Sequence, residues 1–196
     1  SRKKNIVELR NKQVYNAFAL LLTAQGMPCI LAGDEFGNSQ KGNNNVYCQD
    51  NETSWLDWNS WKRHEELYMY VKWLIAFRKK HPALHREKAL LEQDKIGCGV
   101  PDVSYHGENA WQVPAEVPSR QLGVMYSGVD VEDVTCYFAY NMHWNDHTYA
   151  LPTLPKKKIW YRVLWDGQGL QEDERRVEDQ KKIEVEARSV VFLIGK

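Results

Sequence analysis

The segment that decides the fold begins at Ile30, ends at Asn51 and reads ILAGDEFGNSQKGNNNVYCQDN. It opens on an apolar run, passes through the adjacent carboxylates Asp34 and Glu35, and continues into a loop that is dense in amide side chains. The run at residues 29–32, CILA, is short, apolar and bounded by turn residues, which predicts a buried strand. Amides both donate and accept hydrogen bonds, so the loop that follows is built for more than connection.

Two helices are predicted on either side of this segment. Apolar residues recur along one stripe of residues 5–25, and Gly26 and Pro28 follow as stop signals. A second helical pattern begins at Ser60 and ends at Pro82. The order is therefore helix, strand, long loop and helix, a unit whose single strand cannot form a sheet by itself.

The second half of the chain has a different pattern. From about residue 95 the apolar period changes to two, in short runs separated by turn residues, which predicts an antiparallel β-sandwich of roughly six to eight strands. The charged residues 171–182 are predicted to form a solvated hairpin loop. Residues 1–88 and 89–196 are accordingly assigned to two domains. Four tryptophans of the strand region are expected in the core, namely Trp111, Trp144, Trp160 and Trp165.

The composition excludes several classes of protein. Lysine plus arginine and aspartate plus glutamate both number 26, and this zero net charge argues against a nucleic-acid binder. No apolar run reaches the length of a membrane span, and no signal peptide is recognisable. Four cysteines without a C-x-x-C pair predict free thiols in a reducing, cytoplasmic compartment. Because the chain begins with Ser, we expect a processed or excised piece.

Two histidine pairs have a spacing that could suit a metal ion. His143 and His147 fall in a strand pattern, where four residues span about 13 Å, too far for two ligands of one zinc ion. Pro82 interrupts the helix between His81 and His85. We therefore predict no metal site and no cofactor.

A series of motifs carries a resemblance to a known family. They are Gln25-Gly26-x-Pro28, Gly33-Asp34-Glu35-Phe36, Gly42-Asn43-Asn44-Asn45, Tyr47-Cys48-Gln49-Asp50-Asn51, Trp55 and Asp57-Trp58. In this order they resemble the end of the catalytic barrel in the α-amylase superfamily, glycoside hydrolase family thirteen. The debranching branch is most similar: bacterial glycogen-debranching enzyme, isoamylase and type I pullulanase. LIAFRKKHPAL is similar to the closing barrel helix, and SRQLGVMYSG, AYNMHW and ARSVVFLIG are similar to the C-terminal β-domain.

The resemblance implies a fold class and an activity. The fold would be α/β plus all-β, with the terminal helix-strand-helix portion of a (β/α)8 barrel followed by an antiparallel β-sandwich. The intact enzyme would hydrolyse α-1,6 branch links in glycogen, amylopectin or pullulan by a retaining mechanism. The three catalytic carboxylates of the family lie on earlier barrel strands, so no catalytic residue is expected in this chain, and the chain alone is expected to be inactive.

The carboxylates and the amide loop receive different expectations. A retaining pair needs carboxyl groups about 5 Å apart, whereas neighbours in a strand diverge, so Asp34 and Glu35 are expected to hold the strand end structurally. In such a barrel, loops after the strands build the active site. Glucan contact at the rim of the cleft is therefore expected from four residues, Asn44, Asn45, Tyr47 and Gln49. The alternative is that the asparagines only supply left-handed turn geometry.

Two other functions stay open at this point. A superfamily relative could cleave or transfer α-1,4 links, and the chain could be a non-catalytic α-glucan-binding or assembly module. The expected partners are the α-glucan and the missing N-terminal barrel portion, with no nucleic acid and no membrane. Because uncovered apolar faces and open strand edges associate, the chain is also predicted to self-associate through residues 1–60 or to leave that region poorly ordered.

Overall fold

The computed structural model describes residues 2–113, 119–167, 170 and 172–196. In these ranges the α-helices are α1 (Lys4–Thr23), α2 (Ser60–Arg63) and α3 (Glu65–Lys80). The strands are β1 (Val103–His106), β2 (Gln121–Tyr126), β3 (Thr135–Asn141), β4 (His147–Ala150), β5 (Trp160–Leu164), β6 (Asp173–Arg176), β7 (Lys182–Val185) and β8 (Ser189–Gly195). None of the described helices has the length and apolar character needed to cross a membrane.

The two predicted helices are present, with small differences at their ends. Helix α1 ends at Thr23, three residues before the predicted stop at Gly26. The Thr23 hydroxyl lies 2.6 Å from both the Ala19 carbonyl oxygen and the Tyr140 hydroxyl, which fixes this end against the sheet. The second predicted helix is divided at His64 into α2 and α3, and it ends just before Pro82 as expected.

The predicted buried strand at residues 29–32 is wrong. Residues 27–31 have no regular secondary structure, and Cys29 and Leu31 are exposed while Ile30 is half-buried. A strand needs a neighbour to satisfy its backbone groups. No strand of the described residues pairs with this segment, so its apolar composition alone does not produce a sheet.

The side chain of Arg78 joins α3 to the end of α1. It is 8% exposed, and its Nη1 donates hydrogen bonds to the carbonyl oxygens of Leu22 (3.0 Å) and Ala24 (2.5 Å). Its Nη2 donates to those of Gln25 (3.5 Å) and Gly26 (2.6 Å). The last carbonyls of a helix have no helical donor. The Arg78 guanidinium therefore supplies hydrogen-bond donors to carbonyl groups at and beyond the end of α1.

The predicted antiparallel β-structure is confirmed. Six strands form one sheet in the order β1-β2-β3-β8-β5-β6, and β4 and β7 form a second, two-stranded sheet. Every pairing is antiparallel. The interpretation of residues 171–182 as a solvated loop is wrong for Asp173–Arg176, which form the edge strand β6. Its charged side chains suit an edge because charge discourages pairing with another chain.

Two apolar clusters lie on opposite faces of the six-stranded sheet. Helices α1 and α3 cover one face, where Trp73 and Phe77 of α3 place their ring centroids 5.5 and 5.7 Å from that of Phe192 in β8. The two-stranded sheet covers the other face, around Tyr137 and Trp160. The helical part and the sheet thus share a core, and the division into two domains stays a prediction.

The expectation of core packing holds for only part of the tryptophan set. Trp160 is buried, and Trp165 packs partly buried against the helical cluster. Trp111 and Trp144 are 49% and 56% exposed, so the prediction is wrong for both. A period of two predicts which face a side chain occupies only inside a strand. Trp111 and Trp144 lie in turns outside the strands, so the period does not determine their burial.

A buried histidine in β1 is held in one tautomer. The Nδ1 of His106 accepts a hydrogen bond from the Trp111 backbone N–H at 2.8 Å, so the neutral ring carries its proton on Nε2 and donates it to Ser104 Oγ at 2.9 Å. This nitrogen cannot take a proton from Ser104, which excludes a serine nucleophile here. Burial lowers the pKa of His106 to about 4.

This histidine makes stability sensitive to acid. Its folded-state pKa of about 4 lies below the ordinary value of 6.5, so the unfolded state binds more protons between these values. The stability present above pH 6.5 should fall by about 3 kcal/mol as the pH drops to 4. Urea unfolding of the wild type and of His106→Asn across this range checks it. The variant should lose most of the slope, whereas exposed His85→Asn should keep it; an unchanged slope in His106→Asn contradicts the assignment.

Candidate functional site

The turn that opens the amide loop depends on glycine. Gly33 and Gly37 have φ angles of +98° and +76°, and the one-turn 3-10 helix Asp34–Phe36 lies between them. A Cβ atom on Gly33 would lie 2.8 Å from side-chain atoms of both Asn38 and Leu56. Only glycine has both the backbone freedom and the absence of a side chain that this position requires.

The two adjacent carboxylates lie at the start of this turn rather than at a strand end. Glu35 Oε2 accepts a hydrogen bond from the Gly33 N–H at 2.9 Å. Burial, and then the charge of Glu35, raise the pKa of Asp34. Among the described residues no strand precedes them. The structural role predicted for the pair therefore takes a different form, in which Glu35 contacts the backbone of the turn.

Three amides of the loop, Asn43, Asn45 and Gln49, bind one another or the backbone of the loop. Asn43 Nδ2 donates to Gln49 Oε1 at 2.9 Å, and the Asn43 side-chain oxygen accepts from the Asn45 N–H at 3.0 Å. Asn45 Oδ1 accepts from the Tyr47 N–H at 3.0 Å, and Gln49 Nε2 donates to the Asn45 carbonyl at 2.9 Å. The side chains of Asn45 and Gln49, two of the four residues expected at the cleft rim, therefore shape the loop.

The other two expected residues present free groups to the surface. Tyr47 is 82% exposed and Asn44 is exposed as well. Within the described residues, neither the Asn44 amide nor the Tyr47 hydroxyl has a recorded hydrogen-bond partner. The loop thus divides the predicted set into two residues that brace it and two that can reach a ligand.

A cleft of about 520 Å³ lies beside this loop, against helix α2. Trp55 lines it and donates its indole N–H to Asp50 Oδ1 at 2.7 Å, which fixes the ring in place. Arg63 donates to Asp57 Oδ2 at 2.8 Å, and this hydrogen bond lowers the pKa of Asp57. Indole surfaces and hydrogen-bonding groups together suit a ligand rich in hydroxyls.

The distance argument against a metal at His143 and His147 is wrong. Strand β3 ends at Asn141 and the chain turns before β4, so the two ring centroids lie 4.8 Å apart. His143 Nδ1 accepts a hydrogen bond from the Asn145 N–H at 3.0 Å, and His147 Nδ1 lies 3.7 Å from Glu108. The Nδ1 of His143 is therefore already engaged within the turn, and the Nδ1 of His147 faces a carboxylate of a neighbouring turn.

A second titratable cluster joins the end of α3 to the sheet. Ligand-type atoms of His81, Asp133 and Cys136 lie within 4.8 Å of one another. Both Asp133 oxygens already accept hydrogen bonds, Oδ1 from His81 Nδ1–H at 2.9 Å and Oδ2 from the Ala83 N–H at 3.1 Å. Glu172 lies 3.9 Å from His81 Nε2. The arrangement works as an ion-paired clamp, and residues so distant in sequence gave no signal for it.

The charges of this clamp support one another. Burial lowers the pKa of His81, but its hydrogen bond to Asp133 and the nearby charges of Asp133 and Glu172 outweigh burial and raise it above the ordinary value of 6.5. Burial raises the pKa of each carboxyl group, but the His81 hydrogen bond lowers the pKa of Asp133, and the neighbouring His81 and Lys80 lower that of Glu172. Lys80 donates to Glu172 at 2.6 Å and completes the set.

Comparison with known proteins points to enzymes that act on branched glucans. No family model matches the chain. A Mycobacterium tuberculosis protein named "Glycogen operon protein GlgX homolog" is 38% identical over 113 residues, which are 57% of this chain and 15% of that protein. The glycogen debranching enzyme of Klebsiella pneumoniae is 45% identical over 89 residues, which are 45% of this chain and 13% of the enzyme.

The chain resembles the C-terminal region of a debranching enzyme. Type I pullulanase from Bacillus subtilis, solved with maltose, superimposes with a TM-score of 0.69 and 21% identity over 98% of this chain and 24% of the pullulanase. The pullulanase of Paenibacillus barengoltzii gives 0.68 and 24% identity over 94% of this chain and 25% of its own. The resemblance to debranching enzymes therefore holds in fold and in sequence, although the matched segments span only about one seventh of the curated relatives.

Proposed function

We propose that this chain forms one edge of the substrate cleft in a glycoside hydrolase that cleaves α-1,6 branch links in α-glucans by a retaining mechanism. The observation that carries the proposal is the 45% identity to a protein named glycogen debranching enzyme, next to 38% identity to a glycogen operon protein. In this proposal, residues 1–88 complete a (β/α)8 barrel and the β-sandwich supports it. The catalytic carboxylates belong to polypeptide outside these residues, which leaves the chain inactive alone.

The geometry of the loop supports a place at the cleft rim. Asn44 and Tyr47 are exposed, Asn45 and Gln49 brace them, and the ring of Trp55 is held by Asp50. A loop fixed by its own hydrogen bonds loses little entropy when it binds. The expected partners are α-glucan and the remaining barrel. Self-association through residues 1–60 and a cytoplasmic location stay predictions.

An assay on the longer polypeptide that contains this chain tests the activity. Release of reducing sugar from pullulan, with little from linear amylose, is expected of a debranching enzyme. Preference for the linear glucan would instead favour the α-1,4-acting alternative. Release of reducing sugar by the 196-residue chain alone would overturn the placement of the catalytic carboxylates.

Tyr47→Ala in that longer polypeptide should raise KM for branched glucan about five- to tenfold, because one hydrogen bond or stacking contact is lost. The side chain is 82% exposed, so the melting temperature should not change.

Asn45→Ala removes a side chain that braces the loop, so it should lower kcat/KM and make the loop less ordered. Hydrogen exchange at the Tyr47 amide measures the loss of order. A KM in Tyr47→Ala equal to that of the wild type would place this loop away from the substrate.

A further inference from the structure

Two exposed tryptophans lie in adjoining turns at one end of the sandwich. Trp111 follows strand β1, and Trp144 lies in the turn between β3 and β4. The turn after β1 contacts the start of β4, where Glu108 Oε1 lies 3.7 Å from His147 Nδ1, and the end of β4, where the Ala150 N–H donates to the Gly107 carbonyl at 3.2 Å. Large exposed aromatic side chains away from a core usually mark a contact surface.

The backbone of Trp111 is held in a costly conformation. Its φ angle is +66°, which a bulky residue rarely adopts. Its N–H donates to the fully buried His106, which Ser104 holds in turn. The His106 ring also contacts the indole edge-on, with centroids 5.0 Å apart. Such strain persists only where the surroundings impose it, so this buried pair maintains the exposed position of the indole.

The second indole is fixed as well. The guanidinium of Arg120 lies 4.8 Å from the ring centroid of Trp144. The ring centroid of His143 lies 4.1 Å from the same centroid. Arg120 and Trp144 therefore form a cation–π pair that orders both side chains at the surface.

Polar side chains connect the turn after β1 to the turn that carries Trp144. Glu108 lies 3.7 Å from His147, and the rings of His147 and His143 are 4.8 Å apart. We call this set the sandwich strip; its members are Glu108, Trp111, Arg120, His143, Trp144 and His147. Partial burial, and then the charges of His147 and Arg120, lower the pKa of His143.

The chemistry of the sandwich strip selects its ligand. Glu108 and Arg120 carry opposite charges, which leaves the strip without a net charge to attract an ion. Carboxylate, imidazole and guanidinium groups bind hydroxyls, and indole rings present flat apolar surfaces. A chain of pyranose rings offers both kinds of contact, since each ring has an apolar face and a rim of hydroxyls.

We propose that the sandwich strip binds an α-glucan chain, at a site separate from the loop at residues 33–58. The choice of α-glucan among neutral sugars rests on the proposed function. Two ordered indoles separated by hydrogen-bonding groups would hold a linear stretch of several glucose units. Such a site would keep the protein on a large branched particle while the cleft acts elsewhere on it.

Native electrophoresis of the chain in gels that contain glycogen tests the proposal. The wild type should be retarded, and maltoheptaose should release it. Trp144→Ala and Glu108→Gln, neither of which touches the buried His106, should each raise the dissociation constant for glycogen, with about a tenfold rise for the tryptophan. Trp144→Phe should recover part of the affinity. Trp61→Ala, at an exposed indole outside the strip, is the matched control and should migrate as the wild type.

Two outcomes overturn the proposal. One is free migration of the wild-type chain in glycogen, and the other is retardation of Trp144→Ala and Glu108→Gln equal to that of the wild type. Pullulan hydrolysis by the longer polypeptide is a separate measurement, because a soluble polymer can reach the cleft without being held by the strip. If the longer polypeptide hydrolyses pullulan but the chain migrates freely in glycogen, only the proposal for the sandwich strip is refuted. If the chain is retarded but the longer polypeptide has no debranching activity, only the proposed function is refuted.

Discussion

Replacing Arg78 by methionine is expected to lower the free energy of unfolding by about 4 kcal/mol. Methionine fills most of the volume but donates no hydrogen bond, so carbonyl groups of residues 22–26 lose their donor. The Leu22 carbonyl is buried and the other three are partly buried, and leaving such acceptors unsatisfied costs more than the net worth of the bonds themselves. Chemical unfolding followed by circular dichroism measures the change.

Two companion variants sharpen this test. Arg10→Met removes a guanidinium from an exposed position of α1 and should have little effect. Arg78→Lys keeps the charge, but a single ammonium cannot reproduce the planar fork, so it should recover only part of the stability. A loss below about 1 kcal/mol in Arg78→Met would show that water satisfies these carbonyls and that the Arg78 hydrogen bonds are dispensable for stability.

Asp133→Asn should also destabilise the protein strongly, by about 3 kcal/mol near pH 6. The exchange preserves shape but removes the charge that pairs with His81, and both side chains are almost fully buried, at 7% and 4% exposure. The matched control is Glu8→Gln, which breaks the exposed pair of Glu8 with Lys4 on α1 and should leave stability unchanged.

The same pair predicts a pH window. The pKa of His81 is raised in the folded state, so its contribution is complete below 6.5 and is lost as the pH rises through the raised value. The pKa values of Asp133 and Glu172 are lowered, so their contributions are complete above about 4.5 and are lost on acidification. The stability difference between wild type and Asp133→Asn should therefore be largest between these limits. The effect of His106 cancels in this difference, and a difference that is constant from pH 5 to 9 would exclude a charged His81.

Local patterns in the sequence predicted the elements well where local physics decides. The stop at Pro82 and the period of two after residue 95 correspond to the end of α3 and to the strands of the sandwich. The pattern failed at residues 29–32, because an apolar run becomes a strand only if another strand pairs with it. It failed at residues 173–176 as well, since an edge strand can be as charged as a loop.

The sequence predicted which residues belong to the candidate site, but not which of them bind the loop and which are free to bind a ligand. The motif GNNN-x-YCQDN marks the loop, and only the structure separates Asn45 and Gln49, which brace it, from the exposed Asn44 and Tyr47. Contacts between residues far apart in sequence were inaccessible, as with His81 and Asp133. The spacing of His143 and His147 misled because the strand was assumed to continue past Asn141.

The aromatic contacts that link α3 to β8 bear on how this region can be recombined. Trp73 and Phe77 fill one side of a contact whose other side is Phe192, more than a hundred positions later. A chimera that grafts the β-strands of one homologue onto the helices of another would therefore combine rings from two proteins in a contact that both sides must fill. Exchanges that carry α3 and β8 as a unit should give well-folded hybrids, whereas a crossover near residue 89 should give poorly expressed ones.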